Sequence, residues 1–311
     1  MRVTGNSFIG PFINQLNQLT ARQQRLQSQA ATGQRVQAPS DDPVAMRSAL
    51  QLRDESQRLN QYLQNIGALK ERAGTTFSAL QGIKKISDRA GEIATLADGT
   101  RSTEEMQAYA RELTQLIQQG VQTMNSRYRD QYLFAGTDNN QPPFVVALDT
   151  AGNVSGVSYQ GNNSVTENEI GASAAIAVDV PGENTSGAGP RGLITDDRAG
   201  ADFFNHLISL QNHLLAGDTA AIAATDRPGL AADEENLIYH ISNNGALQTR
   251  LELARSSAES RSLGIEQTIS RDVDADLTET LVVLNQTQTA YQAALQSGAA
   301  LMRTSLLDYL R

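Results

Sequence analysis

The imidazoles of this sequence, its first candidates for metal ligation or proton transfer, are His206, His213 and His240. None of them lies in an H-E-x-x-H segment, the spacing that puts two histidines on one helix face to hold zinc. His206 and His213 are seven residues apart, about two helical turns, which is too far for a shared metal ion. We expect surface or half-buried histidines and no metal site.

A run of alternating carboxylates resembles the start of a calcium-binding loop. Asp272, Asp274 and Asp276 would supply its first ligands, but such a loop needs glycine at its sixth position and glutamate at its twelfth. Leu277 and Val283 stand there instead. The pattern favours an N-cap at Asp276, because a carboxylate before a helix accepts hydrogen bonds from the first amides.

A glycine-rich stretch matches the G-x-G-x-x-G pattern of dinucleotide-binding loops. Its glycines are Gly187, Gly189 and Gly192, but Pro190 removes an amide donor and no strand directly precedes them. No G-x-S-x-G nucleophile elbow occurs, and the chain has no cysteine. The sequence therefore predicts no catalytic residue, no cofactor and no enzyme activity.

Composition restricts the remaining classes of function. The 311 residues suggest about two domains, but 40% hydrophobic and 5% aromatic residues without tryptophan argue for an elongated architecture. The 25 basic and 34 acidic residues give a formal net charge of −9, which disfavours nucleic acid and anionic membranes as partners. The chain shows no apolar run long enough for a membrane span and no classical secretion signal at its start.

Charge and texture divide the chain into three parts. Residues 1–135 carry 16 basic and 12 acidic groups, residues 136–236 carry 3 and 14, and residues 237–311 carry 6 and 8. Within the middle part, residues 136–200 also hold four of the eight prolines and ten glycines. Because glycine and proline punctuate turns, we expect a small β-rich insert there.

Both ends of the chain show the apolar spacing of a coiled-coil seam, alternating steps of three and four residues. The N-terminal seam comprises Ile9, Phe12, Leu16, Leu19, Leu26 and Ala30, interrupted by Gln23. The C-terminal seam comprises Leu277, Leu281, Leu284, Gln288, Tyr291, Leu295, Gly298, Met302, Ser305 and Tyr309. A polar residue near the middle of each seam favours a defined register over maximal stability. We predict an assembly interface formed by the large seam residues Ile9, Phe12, Leu16, Leu19, Leu26, Leu277, Leu281, Leu284, Tyr291, Leu295 and Met302.

Helix signals define the region between the seams. Asp41 and Asp42 before Pro43 predict an N-cap and a helix start, and the following residues 44–97 run without proline. Ser102 with Glu105 predicts a capping box for a third helix that reaches Met124. Further apolar spacing predicts helices from Phe203 to about Gly217 and over 230–269, and short strands at 132–134, 144–148, 154–159 and 176–180.

These patterns predict a mainly α protein, a long helical-bundle rod with terminal coiled-coil helices and a small β-rich inserted domain. The predicted domains are terminal helices over 1–40 and 272–311, a helical rod over 41–136 and 201–271, and a β-rich outer domain over 137–200.

Several motifs resemble the bacterial flagellin superfamily, and within it the family of hook–filament junction proteins. Residues 32–36 read T-G-Q-R-V, and Pro39, Ser40, Asp41, Asp42 and Pro43 match the P-S-D-D-P run of that family. Residues 132–137 and 142–144 resemble the family's transition into its outer domain, as do residues 159–162. The C-terminal residues 276–295 and 305–310 resemble its last helix.

The resemblance implies a structural protein of the flagellum, an adaptor at the distal end of the hook. It implies export through the flagellar type III channel with an export chaperone, so the protein would be cytoplasmic before export and extracellular afterwards. The implied partners are hook-associated protein 1, flagellin and further copies in a ring, with no nucleic acid and no membrane.

Two other classes stay open. Filament flagellin is the nearer alternative, and Pro43 with the ending Asp308, Tyr309 and Leu310 distinguishes the junction proteins from it. A cytoplasmic coiled-coil scaffold is the second, since terminal seams alone would permit it. An enzyme inserted into such a scaffold is disfavoured because no nucleophile or metal grouping is visible.

Overall fold

The computed structural model describes the backbone of residues 6–309 and the side chains of residues 10–300. Seven α-helices in the described chain dominate it, which confirms the predicted mainly α class. They are α1 (Asn6–Thr32), α2 (Pro43–Leu96), α3 (Thr103–Met124), α4 (Phe203–Ala216), α5 (Thr219–Ala221), α6 (Arg227–Val273) and α7 (Leu277–Tyr309), with a π-helical segment (Ile222–Asp226) before α6.

The predicted helix ends lie where the capping signals place them. Ser102 Oγ accepts from the amide of Glu105, whose carboxylate accepts from the amide of Ser102, and α3 follows directly. Gly217, with φ of 68°, ends α4 in the left-handed conformation that glycine adopts at little cost. The 54 residues of α2 are continuous despite four internal glycines.

Within residues 6–309, nine short strands form small separate sheets. They are β1 (Arg127–Tyr128), β2 (Gln131–Tyr132), β3 (Phe144–Leu148), β4 (Val154–Tyr159), β5 (Glu167–Gly171), β6 (Ala174–Ala177), β7 (Glu183–Asn184), β8 (Thr195–Asp196) and β9 (Ala201–Asp202). Antiparallel pairs join β1 to β2, β3 to β4 and β5 to β6, while β8 lies between β7 and β9.

The strand predictions succeed for β3 and β4 and shift elsewhere. The hairpin β3–β4 pairs Phe144 with Tyr159 over the predicted residues. The predicted strand at 176–180 lies instead at β6, whose partner β5 was not predicted because its sequence E-N-E-I-G has little β character. The strand predicted at 132–134 is shorter and lies at β2.

The chain divides into two compact units. Unit 1 comprises Met1–Arg58 and Ser260–Arg311, and unit 2 comprises Leu59–Glu259. The three domains predicted from the sequence have other boundaries and stay a prediction. No helix in the described residues combines the length and the apolar character that crossing a membrane requires.

Unit 2 contains a large apolar core. α3 packs along α4, and Gly120 permits their close approach, since a Cβ there would lie 3.0 Å from Phe204 Cε1. The hairpin β3–β4 joins this core through Phe144, whose ring centroid lies 5.6 Å from that of Phe204 and 5.1 Å from that of Tyr159. The largest fully buried side chains of this core include Leu80, Ile83, Ile93, Leu113, Ile117, Met124, Phe134 and Phe203.

Unit 1 contains a small apolar core. Val36, Ala49 and Val273 are fully buried together, and Met46 and Ile269 pack against them. Within unit 1, α1 packs against α7.

Candidate functional site

The candidate site is the part of unit 1 that combines the predicted seams of α1 and α7 with the P-S-D-D-P motif. At one end of it, called here the lower end, lie the connector from α1 to α2 (residues 33–42) and the connector from α6 to α7 (residues 274–276). Gly33, with φ of 71°, ends α1, and its amide donates to the carbonyl of Gln29 at 2.9 Å. A residue with a Cβ is disfavoured in this left-handed conformation, which explains why glycine follows Thr32.

The connector from α1 to α2 is bonded to the connector from α6 to α7. The amide of Arg35 donates to the carbonyl of Val273 at 2.7 Å, and the amide of Ala275 donates to the carbonyl of Gly33 at 2.8 Å. Arg35 Nη2 also donates to the carbonyl of Asp272 at 2.6 Å. A cation suits this end of α6, because the carbonyls of the last turn are not bonded within the helix. These bonds join residues more than 230 positions apart and hold the two helix breaks together.

The motif residues Asp41 and Asp42 cap two different backbone segments. Asp42 Oδ1 accepts from the amides of Val44 and Ala45 at 3.1 and 3.0 Å, which makes it the N-cap of α2. Asp41 Oδ2 accepts from the amides of Gln37 and Ala38 and closes the turn before the helix. Bonds of this kind stabilise the ionised form.

The pKa values of both motif carboxyls are accordingly depressed. The backbone bond from Ala38 is the largest cause of the low pKa of Asp41. The bond from Ala45 is the largest cause of the low pKa of Asp42. Pro43 is compatible with the first helical position, where no amide donor is needed. The motif therefore ends one connector and starts α2.

The start of α7 is capped in the same way. Asp276 Oδ1 accepts from the amides of Thr278 and Glu279 at 2.8 and 3.1 Å, as the sequence predicts. Asp276 is therefore a helix cap, and the alternating aspartates before it belong to the connector. Among the described residues, no group of three histidine, aspartate or glutamate side chains is arranged to hold a metal ion.

α1 and α7 run antiparallel from this double connector. At the far end, Phe12 lies over Gly298, since a Cβ on that glycine would lie 2.2 Å from Phe12 Cζ. Two antiparallel helices rise by the same distance per residue. Counting up α1 and down α7 from this contact therefore places six pairs of buried or half-buried residues side by side, each pair at one level along the helix axes. The levels are Phe12 with Gly298, Leu16 with Ala294, Leu19 with Tyr291, Gln23 with Thr287, Leu26 with Leu284, and Ala30 with Thr280.

The predicted N-terminal seam is the face that α1 turns toward α7 within the chain. Its members Phe12, Leu16, Leu19 and Leu26 are half-buried, while most residues between them are exposed. Ile9 and, at the other end, Met302 lie outside the described side chains.

The predicted C-terminal seam is divided between two faces of α7. Leu284 and Tyr291 are half-buried and belong to the levels shared with α1. Leu277, Leu281 and Leu295 are 49%, 50% and 44% exposed. These three leucines, called here the outer strip, lie within about 40° of one another around the helix at 100° per residue.

The sequence predicts that the outer strip belongs to the seam of α7, but three other residues of α7, which were not predicted, lie on the face toward α1. Thr280 and Thr287 are buried, and Ala294 is half-buried. These positions follow the same spacing of three and four residues as the predicted seam, displaced by one residue. No signal in the spacing separates them from the predicted seam, because both stripes repeat every seven residues.

The titratable groups of unit 2 form structural contacts. His206 Nδ1 lies 2.8 Å from Asp233 Oδ2, and His213 Nδ1 lies 2.7 Å from Asp226 Oδ2. The bond to Asp233 raises the pKa of His206, while burial raises the pKa of Asp233 itself. We expected no fully buried histidine, but His240 is only 4% exposed.

His240 lies beneath the glycine-rich loop. Its Nε2 lies 3.1 Å from the carbonyl of Gly192, and burial lowers its pKa to about 4. A Cβ at Gly192 would lie 2.1 Å from the carbonyl oxygen of Thr195. This glycine therefore serves close backbone packing.

Comparison with known proteins agrees with the motifs and the fold. Residues 12–139 match the profile of the bacterial flagellin N-terminal helical region. Over these residues the chain is similar to the flagellins. Its relatives include flagellar hook-associated protein 3 of Escherichia coli, 24% identical over 90% of both chains, and the protein of the same name from Salmonella typhimurium, 23% identical over the full length of both.

A solved structure supports the fold. The chain resembles a Vibrio parahaemolyticus protein described as a flagellar hook-associated protein, with a TM-score of 0.63 and 16% identity. The match covers 75% of this chain and all of that one. The resemblance to the flagellin superfamily inferred from the motifs is confirmed by the match to the flagellin N-terminal region and by the two flagellar relatives.

Proposed function

We propose that the chain is a structural subunit of the bacterial flagellum, an adaptor at the distal hook–filament junction that polymerises through α1 and α7. The observation that carries the proposal is the outer strip of α7, three leucines that stay about half exposed beside a seam already used within the chain. The names of the two flagellar relatives supply the flagellum as the setting.

The exposed apolar surface of unit 1 supports an assembly role. Burying a leucine is worth about 1.5–3 kcal/mol relative to leaving it in water, and the outer strip offers three. Large apolar side chains that share one face of a helix and stay exposed are candidates for an interaction site. The exposed large apolar residues of unit 1 also include Ile13 on α1, with Val44, Leu50, Leu263 and Val282. Neighbouring copies in a ring would cover such a surface.

Two local features favour the junction over the filament. The residues Pro39 to Pro43 read P-S-D-D-P, and Asp308, Tyr309 and Leu310 form a D-Y-L run in the last helix region. Filament flagellin is the second candidate, because residues 12–139 match the bacterial flagellin N-terminal helical region. The proposed neighbours are hook-associated protein 1 on one side and flagellin on the other.

The remaining elements of the proposal follow from this role. The protein is exported by the flagellar type III system with a chaperone, works outside the cell and has no enzyme activity. Its domains are the terminal helices 1–40 and 272–311, a helical rod 41–136 and 201–271, and a β-rich outer domain 137–200. A cytoplasmic coiled-coil scaffold would share the seams but would not be exported.

Leu295→Asp tests the proposal directly. Leu295 is exposed in the monomer, so the variant should fold and be exported, but assembly would remove its carboxylate from water at a cost of several kcal/mol in every subunit. Cells producing only this variant should secrete it as free protein, leak flagellin and carry hooks without filaments in electron micrographs. Leu284→Asp should have the same defect and also weaken the contact of α7 with α1.

Gln286→Asp is the matched control, because Gln286 is exposed on the opposite side of α7. Cells with this variant should build filaments and swim. Filaments as frequent with Leu295→Asp as with Gln286→Asp would show that the outer strip is not an assembly surface. Retention of the wild-type chain in the cytoplasm of motile cells would favour the scaffold instead.

A further inference from the structure

The pairing of α1 with α7 has few features that could select one register. Its central level combines Gln23 with Thr287, which contribute little apolar packing. The hydroxyls of Thr280 and Thr287 donate within α7, to the carbonyls of Asp276 and Val283, both at 2.7 Å. Polar groups satisfied inside their own helix do not specify a partner position. A slip of α1 along α7 would therefore meet little resistance from the middle of the pair.

Both ends of the pair do have a specific geometry. At the lower end, Arg35 joins the connectors through its amide and its guanidinium, with the carbonyls of Val273 and Asp272 as acceptors. At the far end, the ring of Phe12 occupies the space that a side chain at position 298 would need. Gly298 itself is buried, in a helix otherwise exposed on most positions around it.

We propose that Gly298 is a positioning residue, a notch for the ring of Phe12 that sets the register of α1 against α7 together with Arg35 at the connector. A slip of one heptad toward the connector would bring Phe12 to the level of Tyr291, where two large rings compete for one space. The opposite slip would break the bonds of Arg35. A single register therefore satisfies both ends.

The register matters for assembly, and here the inference rests on the proposed function. The outer strip belongs to α7 and Ile13 belongs to α1, so their relative height depends on how the two helices are paired. A slip of seven residues would displace one apolar surface along the other by about 10 Å. A neighbouring copy could then match only one of them.

Gly298→Ala separates this role from ordinary helix propensity. Alanine is a better helix former than glycine by about 1 kcal/mol, so a glycine without a positioning role would yield a variant that pairs as well or better. If Gly298 is a notch for Phe12, the variant should pair less well than the wild type, since the new Cβ would collide with the ring of Phe12. Gly264→Ala, in α6 of the same unit, is the matched control because a Cβ there would meet no atom within 4 Å.

Disulfide trapping reads the register in the isolated full-length chain. The protein has no cysteine, so Leu16→Cys with Ala294→Cys reports the common level, and Leu16→Cys with Thr287→Cys reports a slip of one heptad. In a glutathione redox buffer the first pair should cross-link several-fold more than the second on non-reducing gels. Adding Gly298→Ala should lower cross-linking of the first pair several-fold, while Gly264→Ala should not.

A compensating change tests the contact itself. Phe12→Leu shortens the side chain over the notch and should restore cross-linking in the Gly298→Ala background. Unchanged cross-linking of the first pair with Gly298→Ala, or failure of Phe12→Leu to restore it, would overturn the notch. In cells, Gly298→Ala should be exported and not incorporated; normal filaments would overturn the link between register and assembly.

The cross-linking outcomes are independent of the proposed function, because disulfide trapping needs no filament. If the register follows Gly298 but Leu295→Asp builds normal filaments, the positioning role stands and the proposed assembly surface fails.

Discussion

The two units of this chain differ in what their helices bury. Unit 2 buries large side chains such as Leu80, Phe134 and Phe203 completely. In unit 1 the fully buried cluster comprises Val36, Ala49 and Val273, and the levels between α1 and α7 combine half-buried leucines with alanine, glycine, threonine and glutamine.

Unit 1, which buries fewer large side chains than unit 2, exposes more large apolar residues for its size. Unit 1 holds about a third of the residues, yet Ile13, the outer strip and four further large apolar residues are exposed in it. Since net stability follows buried apolar area, we expect unit 2 to be stable within one chain. Unit 1 should gain most of its stability on assembly.

The largest expected effect is that of a core truncation in unit 2. Phe203→Ala should lower the free energy of unfolding by about 3–5 kcal/mol, because it leaves a cavity in a closely packed core. Leu19→Ala in unit 1 should change the main unfolding transition by less than about 1 kcal/mol, since its side chain is only half-buried. Urea unfolding followed by circular dichroism measures both, and equal losses would contradict the comparison.

Acid should act on unit 2 through His240. Burial lowers its pKa to about 4, below the usual 6.5, so the unfolded chain binds this proton more readily. The neutral, buried His240 therefore favours the folded state fully above pH 6.5. As the pH falls toward 4, the free energy of unfolding decreases by about 3 kcal/mol through this group. The effect of His206 on stability has the opposite sign, because its pKa is raised in the folded chain. Its contribution to the free energy of unfolding is present at low pH and is lost as the pH rises.

His240→Gln isolates this dependence. Between pH 7 and pH 4.5 the unfolding free energy of the wild type should fall more than that of the variant, whatever the absolute stability of the variant. Parallel curves would show that His240 does not carry the acid sensitivity of unit 2.

The smallest expected effect compares the helix caps of the two units. Ser102→Ala, in the capping box of unit 2, should lower the global free energy of unfolding by about 1 kcal/mol. Asp42→Ala removes a cap in unit 1 and should mainly speed amide exchange at Val44 and Ala45, since local opening there need not unfold unit 2. Hydrogen exchange measures both. Faster exchange of the core amides of unit 2 with Asp42→Ala, or no such increase with Ser102→Ala, would contradict the distinction.

The helix ends could be predicted because their signals are local. Asp42 with Pro43, Ser102 with Glu105, and Asp276 each bond to amides within three residues, so the sequence window contains both partners. The hairpin β3–β4 was equally predictable from its β-branched and aromatic residues. β5 was not, because its polar residues gain their place by pairing with β6.

The sequence alone determined that both ends of the chain form seamed helices, where these helices begin near the connectors, and that the P-S-D-D-P motif caps α2. Only the tertiary structure decided which stripe of α7 faces α1. Two stripes one residue apart, one through Leu281 and Leu295 and one through Thr287 and Ala294, have the same heptad spacing and cannot be separated by period. The connector bonds of Arg35 and the ring of Phe12 over Gly298 select the second stripe, because contacts between distant residues fix the rotation of a helix that local propensity leaves undefined.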